Sequence, residues 1–199
     1  MKRIFQLSIF FITLLLLEGC SSLLVKENLQ YIKVRGTQFE LNGKPYYFTG
    51  TNLWYGCYLG SSGETGDRKR LVRELDNLKS LGITNLRVLA ASEDSYIKKS
   101  LQPAIQKAPG VYDEDLLNGM DFLLSEMKKR DMHAVIFLNN YWEWSGGMAV
   151  YNKWFGDGKV VDPEDPNEGW GAFMNYSAAF YRNEKGNKYF REYIKKIIT

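Results

Sequence analysis

The sequence predicts an α/β fold with parallel strands, and two features of the chain support that prediction. Short apolar segments with strand character alternate with longer segments of helical apolar spacing, in the order strand, helix, strand, helix, strand. The apolar runs at 84–89 and 134–138 are nearly continuous, which is typical of strands buried on both faces. Parallel strands joined by right-handed helical crossovers account for both features.

A small β-hairpin is predicted ahead of the parallel strands. Strand-like residues at 31–35 are followed by the segments 39–41 and 46–48, which flank the dipeptide Asn42-Gly43. This dipeptide suits a two-residue turn in which both residues have positive φ. We expect the second arm of the hairpin to continue into a first core strand at 50–53.

Long helices separate the core strands. Residues 67–81 start at Asp67, which can cap a helix, and are followed by Gly82, which suits a helix C-terminus. Residues 113–130 form a second amphipathic helix, whose apolar face carries Leu116, Leu117, Met120, Leu123, Leu124 and Met127. Helical spacing also predicts a helix over 186–199.

Three strand–helix units are fewer than half of those in a (β/α)8 barrel, a fold that takes roughly 250 residues. The chain has 199 residues in all. We therefore predict a TIM barrel that is truncated to about its first three βα units and is preceded by the small hairpin. Residues 31–199 would form this N-terminal part of a barrel, and we expect the chain to be a fragment or a truncated gene product.

The first residues predict export. A basic start followed by an apolar run is typical of a signal peptide, here over 1–19. The sequence Leu17-Glu18-Gly19-Cys20 resembles the bacterial lipobox, in which the cysteine becomes the lipidated first residue of the mature protein. We expect a protein anchored to the membrane through a lipid on Cys20, with 20–30 as a polar tether. An ordinary secretory signal is the alternative.

Composition and charge argue against several functional classes. The net charge of +3 comes from 26 basic and 23 acidic residues spread along the chain, which argues against a nucleic-acid partner. His133 is the single histidine, and without a His/Cys cluster we expect no metal site and no cofactor. The aromatic share of 15% is high enough that some rings are expected to do more than fill a core.

Candidate functional residues lie at or near the ends of the predicted strands, where barrels of this type carry their working residues. Trp54 follows the first strand, Arg87 lies in the second, and Asn139 follows the third, with Trp142 and Trp144 soon after. Trp rings stack on the C–H faces of sugars, while Asn and Arg hydrogen-bond to hydroxyl groups. The set therefore suits a carbohydrate, and packing at the rim of the barrel is the alternative role.

The segment 141–170 is long, aromatic and rich in glycine, and it shows no clear period. A loop of this length in a compact domain is usually functional or disordered, and its aromatic content favours a functional loop. Three acidic residues, Glu93, Asp94 and Glu143, could reach the same cleft.

Six motifs, in this order and spacing, resemble glycoside hydrolase family 5 β-mannanases. They are FELNGKPYYFTGTN at 39–52, LGITNLRV at 81–88, QP at 102–103, PGVY at 109–112, LNNYWEWSGGM at 138–148 and FYRNE at 180–184. The similarity extends from about residue 31 to residue 199. The resemblance implies an endo-acting, retaining hydrolase of β-1,4-mannan on a (β/α)8 barrel, monomeric at full length and without a metal cofactor.

The resemblance also implies roles for individual residues. Arg87 matches the strand-two arginine that hydrogen-bonds the nucleophile carboxylate, and a nearby guanidinium keeps such a carboxylate ionised. A structural ion pair inside the barrel is the alternative for Arg87. Trp142 matches a tryptophan that lines the sugar cleft. Asn139, Trp54 and Trp144 are assigned to substrate binding or to support of the loop.

Both catalytic carboxylates are expected beyond Thr199. The family's acid/base Glu follows an Asn at the end of strand four, its nucleophile Glu ends strand seven, and retaining hydrolysis needs them about 5–5.5 Å apart. Asn183-Glu184 is an Asn-Glu pair, but it lies between helical stretches. Asn183 is instead predicted to cap the helix that follows. The resemblance therefore implies no catalytic residue in this chain, which we expect to be inactive alone.

Other functions stay open at this point. A β-1,4-glucanase of the same family is one, because stacking on Trp does not discriminate glucose from mannose. A non-catalytic surface lipoprotein that binds glycans with its aromatic loops is another, and a structural envelope protein would rest on the lipobox alone. The expected partner of the mannanase is β-mannan or a related plant polysaccharide.

Overall fold

The computed structural model describes residues 31–159 and 161–199. The predicted signal peptide at 1–19, the lipidation site Cys20 and the rest of the tether lie outside the described residues. The chain divides into two compact units, with the boundary between Tyr47 and Phe48. Within the described residues, no helix is both long enough and apolar enough to span a lipid bilayer.

The first unit contains a three-stranded antiparallel sheet of β1 (Lys33–Arg35), β2 (Gln38–Leu41) and β3 (Lys44–Pro45). Leu41 pairs with Lys44, and the turn between them has positive φ at Asn42 and Gly43, as the dipeptide predicts.

The predicted strand at 46–48 is wrong. The second arm of the hairpin ends at Pro45, whose missing backbone N–H breaks the ladder of hydrogen bonds. The arm therefore does not run on into the first core strand, which belongs to a separate sheet.

The second unit is organised around a parallel sheet of β4 (Gly50–Asn52), β5 (Asn85–Leu89) and β8 (His133–Phe137). The strands lie side by side in the order in which they occur along the chain. The parallel pairing predicted from the alternating pattern is confirmed. The sequence analysis missed a short antiparallel hairpin, β6 (Gln106–Ala108) with β7 (Val111–Tyr112), between β5 and the next helix.

Helices α1 (Gly56–Gly60), α2 (Arg68–Ser80) and α3 (Glu114–Lys128) belong to the first two crossovers. The Asp67 side chain caps α2 by accepting a hydrogen bond from the Arg70 N–H at 2.9 Å. The Asp113 side chain caps α3 in the same way, at 3.1 Å from the Leu116 N–H. The two predicted long helices are therefore confirmed, with ends that shift by one or two residues.

The helices cover one face of the sheet and leave residues on the other face exposed. Leu86 and Val88 of β5 are fully buried in the main core, together with leucines of α2 and α3. Arg87, between them, is exposed, and its neighbour in β8, Val135, is 47% exposed. Successive side chains alternate between the two faces of a strand. The expectation of strands buried on both faces is therefore wrong for the described structure.

The segment predicted as a structureless loop, 141–170, contains regular structure. A 3-10 turn (Glu143–Ser145) leads into α4 (Met148–Phe155), and α5 (Gly169–Ala178) begins at the end of the segment. Eight residues are too few for a helical period to stand out, although Ala149, Val150 and Tyr151 of α4 are all buried.

A second 3-10 turn (Ala179–Arg182) precedes α6 (Glu184–Ile198). The Asn183 side chain accepts a hydrogen bond from the Gly186 N–H at 2.9 Å. The prediction that Asn183 caps a helix, rather than ending a strand, is confirmed.

Close backbone contact fixes α1 against α3. A Cβ atom on Gly119 would lie 2.1 Å from the Cys57 carbonyl oxygen, and one on Gly60 would lie 2.3 Å from the Gly119 carbonyl oxygen. These distances are too short for any side chain. The packing of the first crossover against the second therefore depends on glycine at both positions.

We predict that Gly119→Ala lowers the free energy of unfolding by about 1–3 kcal/mol, because the added methyl group forces the two helix backbones apart. Gly171→Ala in α5 is the matched control, since nothing lies within 4 Å of its Cβ position. The control is expected to be neutral or to gain up to about 1 kcal/mol from helix propensity. Denaturant unfolding of both variants measures the difference, and equal stability would contradict the close packing.

Candidate functional site

The candidate residues lie where the sequence analysis placed them, at or next to the carboxyl ends of the three parallel strands. Trp54 lies two residues beyond β4, Arg87 is in the middle of β5, and Asn139 lies two residues beyond β8. Trp142 immediately precedes the first 3-10 turn, and Trp144 is inside it. Parallel strands bring these three chain segments to one edge of the sheet.

Two of the predicted tryptophans contact each other. The rings of Trp54 and Trp144 meet edge to face, with centroids 5.6 Å apart. Trp54 also has edge contacts with the rings of Tyr55 and Tyr58. Trp144 packs against the main core, whereas Trp54 remains 39% exposed. The pair therefore combines a firmly held base with aromatic surface that is open to solvent.

Arg87 is free to meet a partner on the exposed face of the sheet. Its guanidinium lies 3.8 Å from the centroid of the Phe137 ring, a cation–π contact that holds the group across the neighbouring strand. Among the described residues no carboxylate forms an ion pair with Arg87. The described structure therefore gives no support to a structural ion pair and leaves the hydrogen-bonding groups of Arg87 for another partner.

Asparagines shape the turn that follows β8. The Asn139 Oδ1 atom accepts a hydrogen bond from the Asn140 N–H at 2.8 Å, while the Asn139 Nδ2 atom is shielded from solvent and has no partner among the described residues. The Asn140 side chain donates to Ser145 Oγ at 2.9 Å and accepts from the Trp142 N–H at 3.2 Å. The residues on either side of Trp142 are thereby tied together.

A buried carboxyl group holds the same turn from below. Glu93, four residues beyond β5, is 0% exposed, and its Oε2 atom accepts a hydrogen bond from the Gly147 N–H at 2.7 Å. Its own N–H donates to the Ser145 carbonyl oxygen at 3.0 Å. Glu93 therefore grips the turn at two points, immediately after Trp144. We call the segment Asn140–Gly147 the aromatic turn.

Two glycines make that grip possible. Gly146 and Gly147 have φ of 88° and 67°, in the region that favours glycine. A Cβ atom on Gly146 would lie 2.4 Å from the Glu93 carbonyl oxygen, and one on Gly147 would lie 2.1 Å from that of Asn140. The Gly-Gly pair is therefore required both by conformation and by space.

Further polar groups are buried around Glu93. Gln106 Nε2 donates to the Tyr151 hydroxyl at 2.8 Å, and that hydroxyl lies beside the Glu93 carboxyl. Ser92 Oγ is 2.8 Å from the Tyr58 hydroxyl and accepts from the Ile105 N–H at 2.9 Å. The network links β5, the hairpin β6–β7 and α4.

Burial raises the pKa of Glu93 to about 8, against the opposing effect of the Gly147 hydrogen bond. Its Oε1 atom has no full hydrogen bond, and no basic side chain in the described structure is paired with it. The carboxyl is therefore largely protonated at neutral pH. Sequence reasoning placed Glu93 in the cleft; the structure places it beneath the aromatic turn, out of reach of a substrate.

The remaining candidate residues separate into different surroundings. Asp94 accepts a hydrogen bond from the Gln102 side chain at 2.9 Å, and Glu143 opens the first 3-10 turn. Trp142 does not contact the Trp54–Trp144 pair; it meets Trp170 of α5 at a centroid distance of 5.7 Å. The sequence analysis did not single out Trp170, because it closes a segment without periodicity. Within residues 31–159 and 161–199, no group of acidic, His and Cys residues is arranged to hold a metal ion.

We predict that the stability of the chain falls as pH rises from about 4.5 to about 8, in part because of Glu93. In that range the folded state keeps the proton on Glu93 while the unfolded state has released it, so raising pH favours unfolding. Glu93→Gln keeps an acceptor for Gly147 and cannot ionise, so its stability relative to the wild type should increase across that range.

Denaturant unfolding at a series of pH values measures this effect. Glu64→Gln, at an exposed position, is the control, and it should follow the wild type. A constant difference between Glu93→Gln and the wild type from pH 5 to pH 8 would mean that the buried carboxyl does not carry the proton that we assign to it.

Comparisons with known proteins agree with this geometry. A family model described as GH family 5 beta-mannosidase-like matches residues 29–199. The chain is 32% identical over 170 residues to mannan endo-1,4-beta-mannosidase 5 of Solanum lycopersicum, which covers 85% of this chain and 36% of that relative.

A solved glycoside hydrolase family 5 mannosidase from Rhizomucor miehei matches with a TM-score of 0.74 at 35% identity. The match covers 82% of this chain and 41% of that one. A mutant of that mannosidase, solved in complex with mannosyl-fructose, matches with a TM-score of 0.76 at 33% identity, over the same shares of the two chains.

The chain thus spans well under half the length of the relatives that it matches. These structural neighbours are (β/α)8 barrel enzymes, which supports the predicted fold class. The agreement of sequence, topology and site residues leads to one conclusion. The chain belongs to the β-mannosidase-like members of glycoside hydrolase family 5.

Proposed function

We propose that this chain is the N-terminal part of an endo-acting, retaining hydrolase of β-1,4-mannan. The observation that carries the proposal is the placement of the Trp54–Trp144 pair and the unpaired Arg87 guanidinium at or near the strand ends of a family 5 fold. Aromatic surface and hydrogen-bond donors at this edge of a barrel suit a sugar chain. The relative from Solanum lycopersicum is named for cleavage within mannan, which supports the same substrate class.

In this proposal the chain supplies binding and positioning rather than the reacting carboxyl groups. Retaining hydrolysis needs two carboxyl groups about 5–5.5 Å apart, one as nucleophile and one as acid/base. We place both in the part of the enzyme that the relatives have beyond the matched region. Arg87 would then hydrogen-bond the nucleophile and keep it ionised, since a guanidinium lowers the pKa of a nearby carboxyl group.

The tryptophans would orient the sugar chain. A Trp ring offers a flat apolar face to the C–H groups of a pyranose, and a rigid ring loses little conformational freedom on binding. Trp144 is held by the core and by the grip of Glu93 on the aromatic turn, and it supports Trp54 from the side. Such a platform binds the chain but does not cleave it.

We further propose that the protein is exported and carries a lipid on Cys20. The proposal rests on the basic start, the apolar run and the sequence Leu17-Glu18-Gly19-Cys20. Metabolic labelling with a fatty acid in a bacterial host tests it. Label that is incorporated into the wild type and lost in Cys20→Ser is expected, and equal incorporation would contradict lipidation at this cysteine.

We predict that Trp144→Ala weakens binding of soluble β-mannan about tenfold, because it removes a stacking face and the lateral support of Trp54. Affinity electrophoresis in gels that contain the polysaccharide measures the change. Tyr181→Ala is the control, since Tyr181 is an exposed ring on the second 3-10 turn, and it should migrate like the wild type. Equal retardation of Trp144→Ala and the wild type would remove this pair from the site.

Hydrolysis separates the proposed enzyme from its alternatives. We expect the 199-residue chain to release no sugars from mannan, and a longer protein from the same gene that includes the missing barrel units to release mannooligosaccharides. Cleavage of cellulose derivatives but not of mannan by the longer protein would instead indicate a β-1,4-glucanase. Turnover by the 199-residue chain alone would contradict the assignment of both carboxylates to the rest of the enzyme.

A further inference from the structure

A second aromatic surface lies beside the Trp54–Trp144 pair, at the other end of the aromatic turn. The rings of Trp142 and Trp170 meet edge to face with centroids 5.7 Å apart, and they are 46% and 44% exposed. Met174, one turn further along α5, is also exposed. Two large rings with open surface at the junction of a turn and a helix are not explained by core packing.

Both rings are held in place from beneath. Trp170 packs edge to face on Phe173, which is fully buried in a second hydrophobic cluster. The Tyr141 hydroxyl donates to the Met174 carbonyl oxygen at 2.6 Å and so ties the aromatic turn to α5. Tyr141 also has an edge contact with Trp142. The surface is therefore pre-organised, and a ligand would pay little conformational entropy to use it.

The size of this surface favours a single sugar unit over a protein partner. Stable protein interfaces bury about 800 Å² on each partner, which is far more than two half-exposed rings and a methionine can offer. A pyranose ring presents one C–H face to an aromatic platform and leaves its hydroxyl groups to water and polar side chains. The surface matches that chemistry in extent and in kind.

Its place along the chain connects it to the first aromatic pair. Trp142 and Trp144 are separated by a single residue, so their Cα atoms are at most about 7.6 Å apart. We propose that Trp142 and Trp170 form a second sugar-binding subsite, which takes a further hexose unit of the β-linked chain that occupies the Trp54–Trp144 pair. This inference rests on the proposed function and adds Trp170 as a residue that selects for longer chains.

Isothermal titration of the chain with β-1,4-mannotriose and β-1,4-mannohexaose tests the subsite. Trp170→Ala should bind mannohexaose about tenfold more weakly than the wild type, with little change for mannotriose, which is too short to reach both surfaces. Trp170→Phe keeps a flat ring and should recover most of the affinity for the hexaose. Tyr181→Ala, another exposed ring of the same unit, should bind both sugars like the wild type.

The outcomes separate the two proposals. If the wild type binds mannohexaose and both Trp170 variants bind it equally well, the subsite is overturned and the proposed function stands. Equal losses for triose and hexaose in both Trp170 variants would also overturn it, since that pattern reports a general structural effect. A wild type that binds neither sugar contradicts the proposed function and the subsite together.

Discussion

The geometry of the candidate site depends on one buried contact, the hydrogen bond from the Gly147 N–H to the Glu93 carboxyl. Glu93 follows β5, and the turn that it holds follows β8, so the contact joins the ends of two neighbouring strands. A buried polar group is costly unless it is satisfied, and a protonated carboxyl costs less to bury than an ionised one. The raised pKa of Glu93 is thus the condition under which the turn keeps its shape.

That constraint organises the surface above it. The aromatic turn carries Trp142 on one side and Trp144 on the other, and each ring meets a tryptophan from a different element: Trp170 of α5 and Trp54 after β4. A single short segment thereby brings together two aromatic pairs. Sites that are supported by rigid elements and by a hydrogen-bonded second layer hold their geometry better than sites on free loops. The described chain is a platform of this kind for a sugar polymer.

Sequence reasoning reached the parts of this structure that local chemistry determines. The Asn42-Gly43 turn, the caps at Asp67 and Asn183, and the parallel pairing of three strands all follow from short-range patterns. The strand-end rule located Trp54 and Trp144, and the structure brings them into contact.

Contacts between distant segments lay beyond sequence reasoning. Nothing near Glu93 in the sequence indicates that Gly147, 54 residues later, will cover it. Trp170 joins the site only through the fold of a segment that has no period. The exposed face of Arg87 and Val135 likewise depends on which elements cover the sheet. A crystal structure of the chain with bound β-1,4-mannohexaose tests the account most directly: we predict pyranose rings stacked on Trp54 or Trp144, and ordered sugar bound only elsewhere on the protein would contradict it.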